Sequence, residues 1–322
     1  MIVDSFPFFQ ELDLLEVRLT VMDPIVDRFV IVEGTRTYAG APKPLRLLEN
    51  KDRYAKWWHK IDYIVVDDWP VTDDPWVTEN HQRNSLARGW ARLKDDDVII
   101  STDLDEIPKP ETVMRYAGMK GVKWFLQQDY RNFFNARNAD EPLWFGGPRM
   151  LTYGEFRRLG ELKKYKYCKF SPREVNQGAT AVKLRRMRNV ILLPDGGWHF
   201  SFLGGVEAII KKIQAYSHQE RNTPEFLDRN RLMNALAEGK TVVGEQRLCT
   251  CPVEELGLPD DALAVVRRFP HLIAPLQSDD VRRRLERIRG CNAFKQRFVR
   301  RYIERRIRLF FARHGIYYRM VR

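Results

Sequence analysis

The chain has 322 residues, 44% of them hydrophobic and 30% charged. That is a globular composition, long enough for one large domain or two ordinary ones, and no run approaches the roughly 18–20 uncharged apolar residues that span a bilayer. The net charge is +12, but residues 281–322 alone hold 14 Arg and one Lys against two Glu, so the first 280 residues are slightly acidic and a nucleic-acid partner is not expected.

The first residues, Met1-Ile-Val-Asp-Ser-Phe, carry neither a charged n-region nor a long apolar h-region, and read as a strand rather than a secretory signal. Four cysteines (Cys168, Cys249, Cys251 and Cys291) have no metal or thioredoxin spacing and are expected to be unpaired thiols of a cytoplasmic protein. Ile2 to Phe6 is the first predicted strand. Gln10 to Met22 places Leu12, Leu15, Leu19 and Met22 at helical spacing. Arg28 to Glu33 is a buried-type strand ended by Gly34, and Thr35 to Pro44 is rich in turn formers. A helix is expected over Leu45 to Trp58, a strand over Ile61 to Val66, a helix over Glu79 to Leu93, and a fourth strand from Val98 to Ile100 that runs into Ser101-Thr102-Asp103-Leu104-Asp105. This alternation predicts an α/β fold with a mostly parallel sheet covered by helices on both faces. Ligands of such sheets sit beyond the carboxyl ends of the strands, where Glu33, Asp67 and Asp103 stand. From Trp124 to about Gly205 the chain is rich in aromatics and glycines, and Glu207 to His218 reads as a helix. A helical extension is expected over 224–280, and a basic amphipathic helix over 281–322. In that helix Phe298, Tyr302, Ile303 and Phe310 lie on one side and arginines on the other, a pattern suited to the anionic inner face of a membrane.

Asp103-Leu104-Asp105 is the sharpest chemical signal. In extended backbone, residues i and i+2 point the same way, so two carboxylates at the end of a buried strand make a site for a hard cation such as Mn²⁺ or Mg²⁺. Arg83 opens the helix before this strand and is suited to a bidentate phosphate or carboxylate contact. Glu33 and Asp67 are candidates for the nucleoside of a bound nucleotide. Glu106 is expected to order the loop. Trp198, Trp144 and Phe145, in glycine-rich loops, are candidates for stacking on a sugar.

Several ordered segments carry a family resemblance: Asp4 to Leu19, Val26 to Glu33, Tyr38-Ala-Gly-Ala-Pro-Lys-Pro-Leu, Asp103-Leu-Asp-Glu-Ile-Pro and Gly197-Trp-His-Phe-Ser. Together they resemble glycosyltransferase family 17 over residues 1 to about 220. That family includes the enzymes that add the bisecting β-1,4-linked N-acetylglucosamine of animal N-glycans. The resemblance implies a GT-A fold over 1–223, inversion at the anomeric carbon and a UDP-sugar donor such as UDP-GlcNAc. The acceptor would be a glycan or glycolipid. A start at the first strand fits a bacterial or viral-type member without a membrane anchor. The resemblance also implies a downstream histidine, here His199, as third ligand beside Asp103 and Asp105. Inversion calls for a carboxylate base. Asp195, directly before the Gly-Gly-Trp-His segment, and Asp129, among aromatics, are the two candidates, and the sequence does not choose between them.

Overall fold

A computed structural model of the chain describes residues 1–159, 181–185, 189–278 and 317–320. Four strands near the N-terminus are β1 (Ile2–Phe8), β2 (Arg28–Gly34), β3 (Ile61–Val66) and β4 (Val98–Ser101). They pair in parallel in the order β4-β1-β2-β3. Later come β5 (Glu106–Pro108), β6 (Lys123–Phe125), β7 (Gln127–Arg131), β8 (Ala136–Asn138), β9 (Leu143–Trp144) and β10 (Arg149–Thr152). The last are β11 (Asn189–Leu193), β12 (Gly197–Ser201), β13 (Leu248–Thr250) and β14 (Tyr317–Met320). The full first sheet runs β14-β11-β6-β10-β4-β1-β2-β3, and a second runs β13-β8-β7-β12-β5 with β9 on β7. In the first, β10 is antiparallel to β4 and β6. The expected α/β class is therefore observed, as a mixed sheet rather than a purely parallel one.

Alternate side chains of the central strands feed two cores, as the two-residue period of a strand requires. Phe6, Phe29, Ile31 and Ile100 join Leu15, Leu19 and Met22 of helix Leu12–Met22 on one face. Val3, Val30, Val32 and Ile99 join Leu86, Trp90 and Phe156 on the other. Covering both faces explains why these strands read as unbroken apolar runs.

Helix boundaries differ from the expected ones for local reasons. The helix preceding β4 begins at Pro75, not Glu79. Asp74 accepts from the Trp76 amide and Pro75 occupies the first turn, the usual chemistry of a helix start. The helix expected over Leu45 to Trp58 is instead three short pieces, Arg46–Glu49, Lys51–Tyr54 and Ala55–Trp58. Helix Gly205–Ala215 stands where Glu207 to His218 was expected.

Residues 224–278, expected as a helical extension, are part of the main body. They supply β13 to the second sheet, and Leu256, Leu263, Val266 and Phe269 to the core beneath helix Leu12–Met22. At the C-terminus, Tyr317–Met320 forms β14, parallel to β11, so the helix expected over 281–322 does not include those four residues. The rest of that basic segment, and Cys168 and Cys291, lie outside the described residues. Among the described residues no helix is long and apolar enough to cross a membrane.

Candidate functional site

The carboxyl ends of β1 and β4, the loop after β2, helix Pro75–Ser85 and the end of helix Gly205–Ala215 enclose a cleft of about 270 Å³. Its walls include Phe9, Glu11, Arg36, Tyr38, Lys43, Trp76, Glu79, Arg83, Asp103, Asp105, Lys212 and His218. The loop after β2 is pinned to the helix end, because the Tyr38 and Ala39 amides both donate to the Ala215 carbonyl, at 3.0 and 3.3 Å.

A buried ion pair positions the Asp103–Asp105 loop from below. Arg18 and Asp4 are wholly buried, and the Arg18 guanidinium donates to both Asp4 oxygens at 2.9 and 2.7 Å. Its remaining nitrogen donates to the carbonyls of Asp103, Leu104 and Glu106 at 2.9, 3.1 and 3.0 Å. With those carbonyls turned inward, the Asp103 and Asp105 carboxylates line the cleft. Glu106 is buried and orders the same loop, as expected. It accepts from the Asp103 amide at 3.0 Å, from the Trp144 indole at 2.9 Å and from Arg185 at 2.9 and 3.0 Å.

Both cleft aspartates are held by cations. Arg83 meets Asp103 at 2.5 Å and Arg185 meets its other oxygen at 3.2 Å. Burial alone would raise the Asp103 carboxyl, but Arg185 and Arg83 outweigh it and keep the group far below the usual carboxylate range. Asp105 Oδ2 accepts from Lys212 Nζ at 3.0 Å. Burial again opposes ionisation there, and Lys212 with His199 reverses it. Burial works against the Lys212 ammonium, yet Asp105 and Glu11 raise it above an ordinary lysine.

His199 is placed by strand register. On β12 it lies opposite Asp129 of β7 and opposite Glu106 of β5. Gly197, at the start of β12, has φ of +108° and sits so close to β5 that an added Cβ would come within 2.3 Å of the Ile107 carbonyl, so only glycine permits this approach. His199 Nδ1 is 2.7 Å from Asp129 Oδ1, and its ring lies flat against Trp144 with centroids 4.2 Å apart. Asp129 is 2% exposed. Burial opposes its charge, but His199 and Arg131 hold it ionised, so it can only accept and Nδ1 must carry the proton. In the neutral imidazole the lone pair is then on Nε2, which stands 3.9 Å from Asp105 Oδ2.

Two metal–ligand bonds of about 2.1 Å put adjacent octahedral ligands about 3.0 Å apart and opposite ones roughly 4.2 Å apart, so a divalent cation could bridge this pair at a wide angle, or as neighbours once the gap narrows. A carboxylate behind a histidine is the usual support for a metal-binding imidazole. Asp103 does not complete a triad, because both its oxygens are on arginines. Among the described residues no group of three or more His, Cys, Asp or Glu side chains is arranged to hold one ion.

Several expected roles are corrected by this geometry. Asp129 is the acceptor behind His199, and it also takes bonds from Arg131 and Asn138. It has no face on the cleft and cannot be the base. Asp195 lies outside the cleft, its side chain 65% exposed and paired with Lys109 at 2.7 Å. Glu33 is fully buried and accepts from Lys43, from the Arg46 and Leu47 amides and from the Tyr63 hydroxyl. It satisfies the first turn of a helical segment and does not face a nucleoside. Asp67 is exposed and is not among the cleft residues. Trp198 is 3% exposed and donates to the Leu256 carbonyl at 2.7 Å, so it is core rather than a stacking surface. Trp144 is stacked on His199, and Phe145 packs with the second core. Arg83 meets Asp103 at the cleft wall, and His199, 3% exposed and not among the cleft residues, approaches Asp105 from behind. Lys212, Arg185 and Glu79, on helices, and Glu11, just before one, were not anticipated, since single charged residues there carry no signal of their own.

Residues 1–137 match the family model described as glycosyltransferase family 17, a shorter stretch than the resemblance read from the sequence, and one that ends before the Gly197-Trp-His segment. Over 121 residues the chain is 32% identical to rat and human proteins named β-1,4-mannosyl-glycoprotein 4-β-N-acetylglucosaminyltransferase, and 31% identical to the mouse one. The match takes in 35% of this chain and spans only 22–23% of the length of those relatives. Over residues 1–137, which hold the four parallel strands and the Asp103–Asp105 loop, this chain matches glycosyltransferase family 17.

Proposed function

We propose that the protein is an inverting glycosyltransferase that takes a sugar, GlcNAc first among candidates, from a UDP-sugar and delivers it to a hydroxyl of a glycan or glycolipid. The observation that carries this reading is the Asp103–Asp105 loop opening into the cleft at the strand ends, within the segment that matches the family. The names of the relatives support the choice of GlcNAc.

The lining charges support a metal-assisted version. Four carboxylates (Glu11, Glu79, Asp103 and Asp105) face four cations (Arg36, Lys43, Arg83 and Lys212), so the walls are balanced and offer a diphosphate no net attraction. Mn²⁺ or Mg²⁺ on Asp105 and His199 would supply that charge and stabilise the departing UDP. Imidazole favours Mn²⁺ of the two. Asp129 keeps His199 in the ligating tautomer. Arg18 and Glu106 fix the loop backbone, so the carboxylates are already held at the cleft before the donor arrives. Arg83 holds Asp103 ionised at the cleft wall. Asp195 and Asp129 are not among the cleft residues, and Glu11 and Glu79 are the carboxylates that lie beside the aspartates.

The test is UDP release from UDP-GlcNAc by the purified protein, with Mn²⁺, with Mg²⁺ and with EDTA. Release that depends on a divalent ion and is lost in Asp105→Asn is expected. Equal turnover in EDTA would overturn the metal-assisted version, and no release from any UDP-sugar would overturn the transferase reading.

A further inference from the structure

Lys212 occupies an unusual place. It belongs to helix Gly205–Ala215, in the C-terminal half of the chain, yet its ammonium reaches the loop after β4. Nζ is 3.0 Å from Asp105 Oδ2 and 3.3 Å from Glu11 Oε1. Asp105 Oδ2 is also the oxygen that faces His199 Nε2 across 3.9 Å. One oxygen thus serves the lysine and is also the one an ion shared with His199 would need. A divalent ion and an ammonium cannot both sit tightly on it, because at a few ångströms their like charges repel by several times the thermal energy even in a screened site.

We propose that Lys212 is a built-in counter-cation that holds Asp105 Oδ2, the oxygen nearest His199, and must give way when a divalent ion binds there. Glu11 is the second carboxylate it already touches, so it has somewhere to remain without leaving the cleft. The helix favours this arrangement, since Lys212 lies in its last turn, where the helix dipole is negative, and Ile209 and Ile213 of the same helix are anchored in a local core. Three consequences follow. The cleft keeps its buried carboxylates neutralised without metal. Free metal ions bind weakly. A donor diphosphate, offering Lys212 a new anionic partner, frees Asp105 for the ion, so nucleotide and metal bind cooperatively. This inference rests on the metal reading above.

The experiment measures Mn²⁺ affinity directly, by the loss of the free-ion electron paramagnetic resonance signal, in wild type, Lys212→Met and Lys212→Arg, each without and with UDP. Lys212→Met is expected to bind Mn²⁺ about tenfold tighter than wild type without UDP, and to lose most of the gain that UDP gives wild type. Lys212→Arg, which keeps the cation, is expected to stay near wild type. Should Lys212→Met fail to fold, Lys212→Gln, whose amide still donates to a carboxylate, serves the same comparison. Mn²⁺ affinity in Lys212→Met equal to or weaker than in wild type would overturn the inference while leaving the metal site standing. Absence of Mn²⁺ binding by every form, with UDP present, would overturn the metal site and the inference with it.

Discussion

Asp129→Asn separates the positioning role of this residue from a role as base. Three groups point donors at the carboxylate: His199 Nδ1 at 2.7 Å, Arg131 Nε at 2.8 and 2.9 Å, and Asn138 Nδ2 at 3.0 Å. Asparagine has the same shape but offers one accepting oxygen and turns an NH₂ toward other donors. At least one buried donor is left unmet, for a stability loss of roughly 1–3 kcal/mol. If the NH₂ faces His199, the imidazole proton moves to Nε2 and the lone pair facing Asp105 is lost. Removing such a support typically weakens metal binding 10–100-fold, which is about 1.4–2.7 kcal/mol. The assay is an Mn²⁺ titration of wild type and variant with UDP present, beside urea denaturation to measure the stability term separately. Excess Mn²⁺ should restore much of the variant's turnover, which it would not do for a missing base. Mn²⁺ affinity within twofold of wild type would refute the tautomer argument.

Asp103, Asp105 and Asp129 are all held below the ordinary carboxyl value of 3.8. Below that value the unfolded chain takes up protons that the folded protein refuses, so their contribution is present above it and lost as pH falls through the folded values. The urea midpoint is expected to fall steeply below about pH 4, and less steeply in Asp103→Asn; equal slopes would contradict it. Lys123 is buried on β6 with its ammonium on the Met119 carbonyl, and burial lowers it from 10.5 to about 8. Between those values the unfolded chain binds the extra proton, so stability gains with rising pH; Lys123→Met should abolish that gain and stabilise the protein at pH 7 by up to about 3 kcal/mol. A destabilised variant in calorimetry would show that the lysine's hydrogen bond outweighs its desolvation. Asp195→Asn should leave UDP release within about twofold of wild type, and a loss of a hundredfold or more would return this exposed residue to the list of bases.

The four strands of the first hundred residues were legible because they are short, largely apolar runs bounded by polar turns, whereas the segment from Leu45 to Trp58 broke into three short helical pieces that its composition did not announce. The Asp103-Leu-Asp spacing was legible for the same reason, standing at the end of such a strand. Roles that depend on where a carboxylate's partners come from were not. Glu33, Asp67 and Asp103 are alike in sequence, each an acid near a strand end, and only Asp103 faces the cleft. Glu33 is consumed by amides 13 and 14 residues on. Trp198 and His199 are neighbours on one strand and point to opposite faces, so the segment that sends one side chain toward Asp105 buries the other against Leu256. Lys212 and Arg185 reach the site from helices distant in sequence, and no local pattern announces that.

The Arg18 guanidinium has one further implication, for altering what the protein recognises. Three carbonyls of the Asp103–Asp105 loop converge on a single buried side chain that is itself clamped to β1. Changes of sequence within that loop must respect a backbone fixed from beneath, and insertions there would break the convergence. The loop after β2 and the end of helix Gly205–Ala215 are joined to each other chiefly at Ala215, and among the described residues no single buried side chain gathers their carbonyls. For the proposed transferase, changes of donor preference are therefore best sought at cleft residues such as Arg36, Thr37, Tyr216 and His218, with the floor of the cleft left as it is.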